Sequence, residues 1–456
     1  MTSRTKENKY IKRIMFIFLL LLISLVSYNF LPPLQVQAAY AADSNETNVL
    51  TLEDALKIAK ENNKTLQAQY YQMQSAKETY IQALGYRLPN ITGSLSYERI
   101  RAMSTNNASY GSKDNFSYSL DANQLLYDFG ATNSYIQSAY HSYKQSEKQY
   151  LDTLRQIEYQ VKQSYLNVLS AEQLYDTAKE GLDLANLILK YTQSEFDVGL
   201  VARSDVLSAE VEVQNAKISL LNAKNQINVS LANLANVLGY DPRKSFTISK
   251  TAYETPPKAI ASNFADQIFS IAIKNRPDIA AAIEGIDAAR YTLKNLKSSL
   301  YPKINLVGDY SRSDTKFPPE NYSWFYGITA TITFYNGGQN LSKIRQEQDI
   351  LNSLIKTKDN LEDSIKLAVW TDILNLNNAY STFELSDAAV KSALENLRVN
   401  EAQYREGLNS IIDLTTARNN YISAKNQRII NEYNYYLSLA ALERDLGVKF
   451  FNIENY

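Results

Sequence analysis

The sequence predicts a mainly α-helical chain that also carries membrane-spanning β-strands, built as a duplicated helix–β-hairpin–helix unit. Three observations predict it: an internal repeat, two long helical stretches free of proline, and short segments that alternate apolar with polar residues. A shift of 208 pairs Gly199 with Gly407, Leu200 with Leu408, Asp205 with Asp413, Gly130 with Gly338, and Leu238-Gly239 with Leu446-Gly447. Nearer the N-terminus the shift is 213, which sets Leu56, Ala59 and Asn62 on Phe269, Ala272 and Asn275, and Pro89 on Pro302. One copy therefore carries a length change of five residues between Pro89 and Gly130.

Residues 1–42 have the layout of a secretory signal peptide: Lys9, Lys12 and Arg13, an apolar run over 14–26, then Ala38, Ala39, Ala41 and Ala42. The run is too short to span a bilayer as a helix, which takes about 20 residues. The first repeat covers 43–240. Thr51 followed by Asp54 resembles a helix-capping pattern, and Leu52, Ala55, Leu56, Ala59 and Leu66 recur at helical spacing. They predict a helix over 52–84, mirrored over 264–300.

After Pro89 and Pro302 the period changes to two. Ile91, Leu95 and Tyr97 fall on one side, and Thr92, Ser94, Ser96 and Glu98 on the other. Residues 116–123, 304–310 and 324–334 alternate in the same way, with Val307 and Phe325 out of pattern. The spacing predicts β-hairpins over 91–125 and 304–334, joined by polar loops at 101–115 and 313–323. An apolar face outside and a Ser, Thr, Asn and Asp face inside is the pattern of a transmembrane β-barrel. Four strands cannot close a barrel, and open edges are not tolerated in lipid, so several chains must share one barrel.

Each hairpin leads into a very long helix, over 131–196 and 339–406. About 65 residues at 1.5 Å each make a rod on the order of 100 Å, long enough to cross a wide aqueous space. The rods turn at Gly199-Leu200 and Gly407-Leu408, and return helices of about 35 residues run back to Gly239 and Gly447. The short opening helices have the missing length, so they stack end to end with the return helices beside each rod. A linker over 241–263 contains Pro256-Pro257, the second repeat covers 264–447, and a tail covers 448–456.

Composition narrows function. The chain has no cysteine and one histidine, His141. No metal site, cofactor site or catalytic constellation is expected, and no Ser-His-Asp or phosphate-loop pattern is present. Removing 1–42 takes away five basic residues and one acidic one, leaving 42 basic and 47 acidic and a net charge of −5. That balance argues against nucleic acid as a partner.

The segment 196–205, FDVGLVARSD, its looser counterpart at 404–413, and the opening helix around LEDALKIA at 52–59 resemble those of TolC-family outer-membrane efflux proteins. The resemblance covers about 50–447. It implies a homotrimer with a shared twelve-stranded β-barrel in outer-membrane lipid and a trimeric α-barrel through the periplasm. It implies a passive exit duct for efflux or type I secretion, served by a periplasmic adaptor and an inner-membrane pump or ABC exporter. A secreted or surface coiled-coil protein without transport activity would explain the rods but not the strands.

The resemblance also assigns tip residues. Ser204, Asp205 and Tyr404 match positions that latch the closed tunnel, and Asp413 matches the first acidic position of its constriction. The second is Thr416 here. The best-known member has an arginine where this chain has Asn409. Either the closed state is looser, or Arg203 substitutes from the neighbouring tip. Gly199, Leu200, Gly407 and Leu408 match the adaptor-docking tips. Read from the residues alone, Asp205 and Asp413 simply cap helices and the two glycines simply turn the chain. Both readings stand at this point.

Overall fold

The computed structural model describes residues 49–103, 110–250 and 265–448. Residues 1–48, with the expected signal peptide, 104–109 of the expected loop, 251–264 of the expected linker and 449–456 of the expected tail lie outside them. Among the described residues the order is α1 (Leu52–Asn62), α2 (Lys64–Gly85), β1 (Asn90–Met103), β2 (Tyr110–Tyr127), α3 (Ala131–Asp197) and α4 (Arg203–Val237). The second set is α5 (Ala265–Asn275), α6 (Pro277–Ser298), β3 (Lys303–Asp314), β4 (Tyr322–Thr331), α7 (Gln339–Arg405) and α8 (Ile411–Leu446). The duplication is thus complete at the level of elements.

Several boundaries differ from the sequence reading. The helix expected over 52–84 breaks at Asn63, whose side-chain Oδ1 accepts from the amides of Thr65 and Leu66 and starts α2. Its counterpart over 264–300 breaks at Pro277, which takes the first position of α6. A proline there loses nothing, because that amide has no helical acceptor. The strands run further into the loops than expected, to Met103 and from Tyr110, while β4 stops at Thr331. The start of the expected linker is packed rather than loose. Ile248 bridges to Leu50 in parallel, and the Tyr165 hydroxyl donates to the carbonyls of Leu50 and Ser249 at 3.0 and 2.8 Å.

The four strands form one antiparallel sheet in the order β1-β2-β3-β4. Register places Ser94, Ser119, Ser311 and Ser323 in one row across all four strands. Ser94 and Ser119 share a hydrogen bond of 2.8 Å, as do Ser96 and Ser117 one row on. The adjacent row of the other face carries Gly93, Leu120, Tyr310 and Trp324. The extra length in the first copy lies in this hairpin, where β2 also carries a bulge between Leu125 and Tyr127.

Helices α3 and α7 have 67 residues each, a rise on the order of 100 Å. Nearer the sheet, α2 and α6 flank α3, and α7 lies against α6; toward the tips, α4 and α8 flank α3, and α7 lies against α8. The returning α4 meets the start of α2 end to end: Asn63 Nδ2 donates to the Val237 carbonyl at 2.8 Å. An apolar core surrounds this joint, built from Ala55, Ala59, Val161, Tyr165, Leu166, Leu234 and Leu238. The matching joint of the second repeat packs Ala272, Val369, Leu376, Leu442 and Leu446.

The second joint also holds a half-buried ion network. Arg276 pairs with Asp278 at 2.6 Å and with Asp445 at 3.4 Å, and Arg444 pairs with Asp445 at 2.8 Å. Lys162 pairs with Glu443 at 2.6 Å, and Arg155 donates to the Arg444 carbonyl. Burial and the neighbouring Asp445 carboxylate push Asp372 up to about 7. Its Oδ2 is buried without a hydrogen-bond partner.

Candidate functional site

The two tips are built alike. The Leu200 amide donates to the Glu195 carbonyl and the Gly199 amide to the Phe196 carbonyl, both at 2.9 Å. Leu408 and Gly407 repeat this on Gln403 and Tyr404 at 2.9 and 3.0 Å. These bonds finish the rods by satisfying their last carbonyls, and they require a left-handed residue. Gly199 has φ +79° and Gly407 φ +70°. No neighbouring atom crowds either glycine, so backbone conformation alone selects it. The turns thrust Leu200 and Leu408 into solvent, 76% and 78% exposed.

Both acidic residues do cap the helices that follow. Asp205 accepts from the Ala202 amide at 3.3 Å. Asp413 accepts from the Ser410 amide at 3.3 Å and from its hydroxyl at 2.6 Å, while the Asp413 amide donates back to that hydroxyl at 3.2 Å. Asp413 and Thr416 lie three residues apart on the exposed side of α8.

Tyr404 is buried at 5% exposure. Its hydroxyl pairs with Thr192 Oγ1 at 3.2 Å, a residue the sequence reading did not single out. Burial pushes the phenol up to about 12, and the Glu195 and Asp205 carboxylates add to the rise. Tyr404 is therefore brought close to Asp205 but not bonded to Ser204, which is exposed with Arg203 on the first turn of α4. Asn409 turns into its own tip, donating to Asn400 Oδ1 at 2.6 Å. Arg405 bridges to the other rod instead, donating to the Tyr191 hydroxyl at 2.7 Å.

Higher on the same helices lies a contact that sequence reasoning missed. Arg418 is only 5% exposed. Its Nε and Nη2 donate to the Gly181 carbonyl at 3.2 and 2.9 Å, and its Nη1 to Glu212 at 3.2 Å and Asn419 Oδ1 at 3.2 Å. Burial draws the guanidinium below its ordinary range, and Glu212 opposes that shift. The only signal was Gly181, the lone glycine of α3.

At the other end, the sheet displays an apolar face. Leu95 is 80% exposed and Trp324 62%, with Tyr326, Ile328 and Ile91 beside them. Aromatic residues border it at both ends: Tyr97 against Phe116 at 4.9 Å, and Phe129 stacked on Tyr301 at 5.1 Å. A soluble surface rarely carries so continuous an apolar patch.

The comparisons agree with this architecture. The family model described as outer membrane efflux protein matches residues 55–240 and 268–448. The outer membrane efflux protein BepC of Brucella suis biovar 1 (strain 1330) is 23% identical over 87% of this chain and 85% of its own length. The outer membrane protein TolC of Vibrio cholerae serotype O1 (strain ATCC 39315 / El Tor Inaba N16961) is 23% identical over 91% of this chain and 94% of its own. The crystal structure of the Campylobacter jejuni CmeC outer membrane channel superposes with a TM-score of 0.75 at 17% identity, over 89% of this chain and 88% of that one.

Proposed function

Because the chain belongs to the outer membrane efflux protein family, a family of non-enzymatic transport proteins, we propose that three copies form one passive exit duct for efflux or type I secretion. An inner-membrane pump or ABC exporter supplies the energy, and a periplasmic adaptor joins the two. Residues 1–42 act as a cleavable signal peptide.

The observation that carries this reading is a shared pair of open edges. Strands β1 and β4 are the edges of the sheet, and α4 and α7 are the outermost helices of the layer. Unpaired strand edges in lipid cost several kcal/mol per backbone group. Pairing β1 of one copy with β4 of the next, and α4 with α7, closes both layers in the same sense. Three copies give twelve strands. Exposed Leu207, Val211, Ile218 and Leu221 on α4, and Leu367, Leu374 and Leu385 on α7, supply apolar surface for that contact. About ten residues per strand between the aromatic borders, tilted by about 40°, give a band on the order of 25 Å, the height of the lipid-facing belt of such barrels.

At the tips, Ser204, Asp205, Tyr404 and Asp413 form the gate. The two aspartates cap their helices, Asp205 belongs to the latch with Ser204 and Tyr404, and Asp413, repeated by threefold symmetry, favours cations over anions. The turns at Gly199-Leu200 and Gly407-Leu408 present exposed leucines to the adaptor. The test is the mature chain in a planar bilayer, after electrophoresis for heat-resistant trimers. Trimers with small, cation-preferring conductance are expected. Absence of any channel from well-folded protein would overturn the reading.

A further inference from the structure

We infer that Arg418 is the tie that holds the two tip hairpins of one protomer together, and that the closed tip depends on it; this rests on the duct reading. Within a protomer the hairpins α3–α4 and α7–α8 meet mainly along one seam, α3 against α8. A tip that widens with its hairpins intact must work at that seam or at the one between protomers.

The polar contacts across the seam are unequal. Lys425 pairs with Glu180, the two side chains about a third exposed, and the buried Tyr421 hydroxyl donates to the same carboxylate at 2.9 Å. Arg405, whose guanidinium lies over Tyr191, is also exposed. Exposed charge contacts contribute little. On the tip half of the seam Arg418 is the buried charge among the described residues, while at the far end the buried Glu443 pairs with Lys162. A buried guanidinium that loses a partner is strongly penalised.

Its geometry spans three helices. From α8 the guanidinium grips the backbone of α3 through the Gly181 carbonyl and the carboxylate of Glu212 on α4. Lysine, a single point of donors, cannot reproduce that fork. Gly181 weakens α3 by about 1 kcal/mol. It stands where Ile422 packs, with the nearest Ile422 atoms 3.5 Å from the place a Cβ would take. Sliding or rotating α8 against α3 strips the guanidinium of its carbonyl, so the tie favours the closed register. Nearer the tip no buried charge joins the hairpins among the described residues: the buried link there is the neutral Tyr404–Thr192 hydroxyl pair, Arg405 on Tyr191 is exposed, and Asn409 is bonded inside its own tip. The charge-assisted tie therefore sits about 27 Å above Gly199, 18 residues up the helix.

The test uses the full mature chain in planar bilayers, beside Arg418→Gln and Arg418→Lys. Arg418→Gln is expected to raise single-channel conductance several-fold while heat-resistant trimers persist, and Arg418→Lys to recover little of the closure. The chain has no cysteine, so the double variant Gly181→Cys, Ile422→Cys can lock the seam. Added to Arg418→Gln, the oxidised crosslink should restore the small conductance, and reductant should release it. Unchanged conductance in intact Arg418→Gln trimers would overturn the tie, as would a crosslink without effect. Should Arg418→Gln fail to assemble, Glu212→Gln decides: raised conductance supports the tie, and unchanged conductance overturns it. A wild-type chain that forms no channel overturns the duct reading itself and this inference with it.

Discussion

Asn63 and Arg276 stand at the same joint in the two repeats and make the same bond. Asn63 Nδ2 donates to the Val237 carbonyl at 2.8 Å, and Arg276 Nη1 to the Asp445 carbonyl at 3.2 Å. Each ties the end of a return helix to the start of the helix that continues its path. Two glycines belong to the same joints. Gly239 and Gly447 have φ +82° and +72°, and a Cβ on either would run into the backbone of Asn62 or Asn275. One bond has been kept with two chemistries, a neutral amide in the first repeat and a guanidinium within an ion network in the second.

The joints predict a graded loss of stability. Asn63→Ala removes both the cap of α2 and the donor to the half-buried Val237 carbonyl, and should cost about 2 kcal/mol. Gly447→Ala forces a left-handed alanine with a Cβ 3.1 Å from the Asn275 carbonyl oxygen, and should cost about 2 kcal/mol. Gly239→Ala meets the Asn62 carbonyl at much shorter range and should be the most damaging of the three. Thermal melting of the detergent-solubilised protein gives the ranking.

The ion network predicts pH dependence. Asp372 titrates near 7 in the folded chain, against an ordinary value of 3.8. Asp445, despite its burial, is held below its ordinary range by Arg444 and Arg276. The folded state therefore keeps a proton on Asp372 that the unfolded chain releases near pH 4. Stability is fully present below that point and falls as pH rises toward 7, by on the order of 2 kcal/mol. Asp372→Asn should flatten melting temperature against pH between 4 and 7. A wild-type profile that already matches the variant would refute the assignment.

Much of this architecture is legible in the sequence because its signals are local. Alternation at 91–98 and 304–310 defined the strands, and the glycines at 199 and 407 marked the tips, because only backbone conformation selects them. What escaped was set by tertiary contacts. Leu66 continues the helical spacing of Leu52 and Leu56, which hid the break at Asn63. Thr192 and Arg418 look like ordinary polar positions on long polar helices, and only the packing of α3 against α7 and α8 buries them. Phe246 and Ile248 read as linker residues because the core they join is supplied by Tyr165 and its neighbours, some 80 positions away.

Neighbouring residues on β2 should respond oppositely to the same substitution. Leu120 lies in the apolar row with Tyr310 and Trp324, and Ser119 in the serine row with Ser94 and Ser311. An arginine facing lipid at mid-depth costs about 2–4 kcal/mol, while a lumen position tolerates it. Leu120→Arg should cut the yield of heat-resistant trimers in the outer membrane, and Ser119→Arg should leave it near wild type while altering ion preference. Equal yields would mean that the apolar face does not meet lipid.

Asp413 both caps α8 and stands exposed beside the tip, and one substitution separates the two roles. Asn at 413 retains an oxygen that can accept from the Ser410 amide and hydroxyl, as Asp413 does now. It removes the charge. Asp413→Ala removes both. If the residue only caps, Asp413→Asn should behave as wild type, and Asp413→Ala should lose about 1 kcal/mol with ion preference unchanged. If threefold-related Asp413 carboxylates form the constriction, Asp413→Asn should abolish most of the cation preference while melting within a few degrees of wild type. Reversal potentials in a salt gradient decide between them, and low ionic strength sharpens the contrast because screening weakens the ring's field.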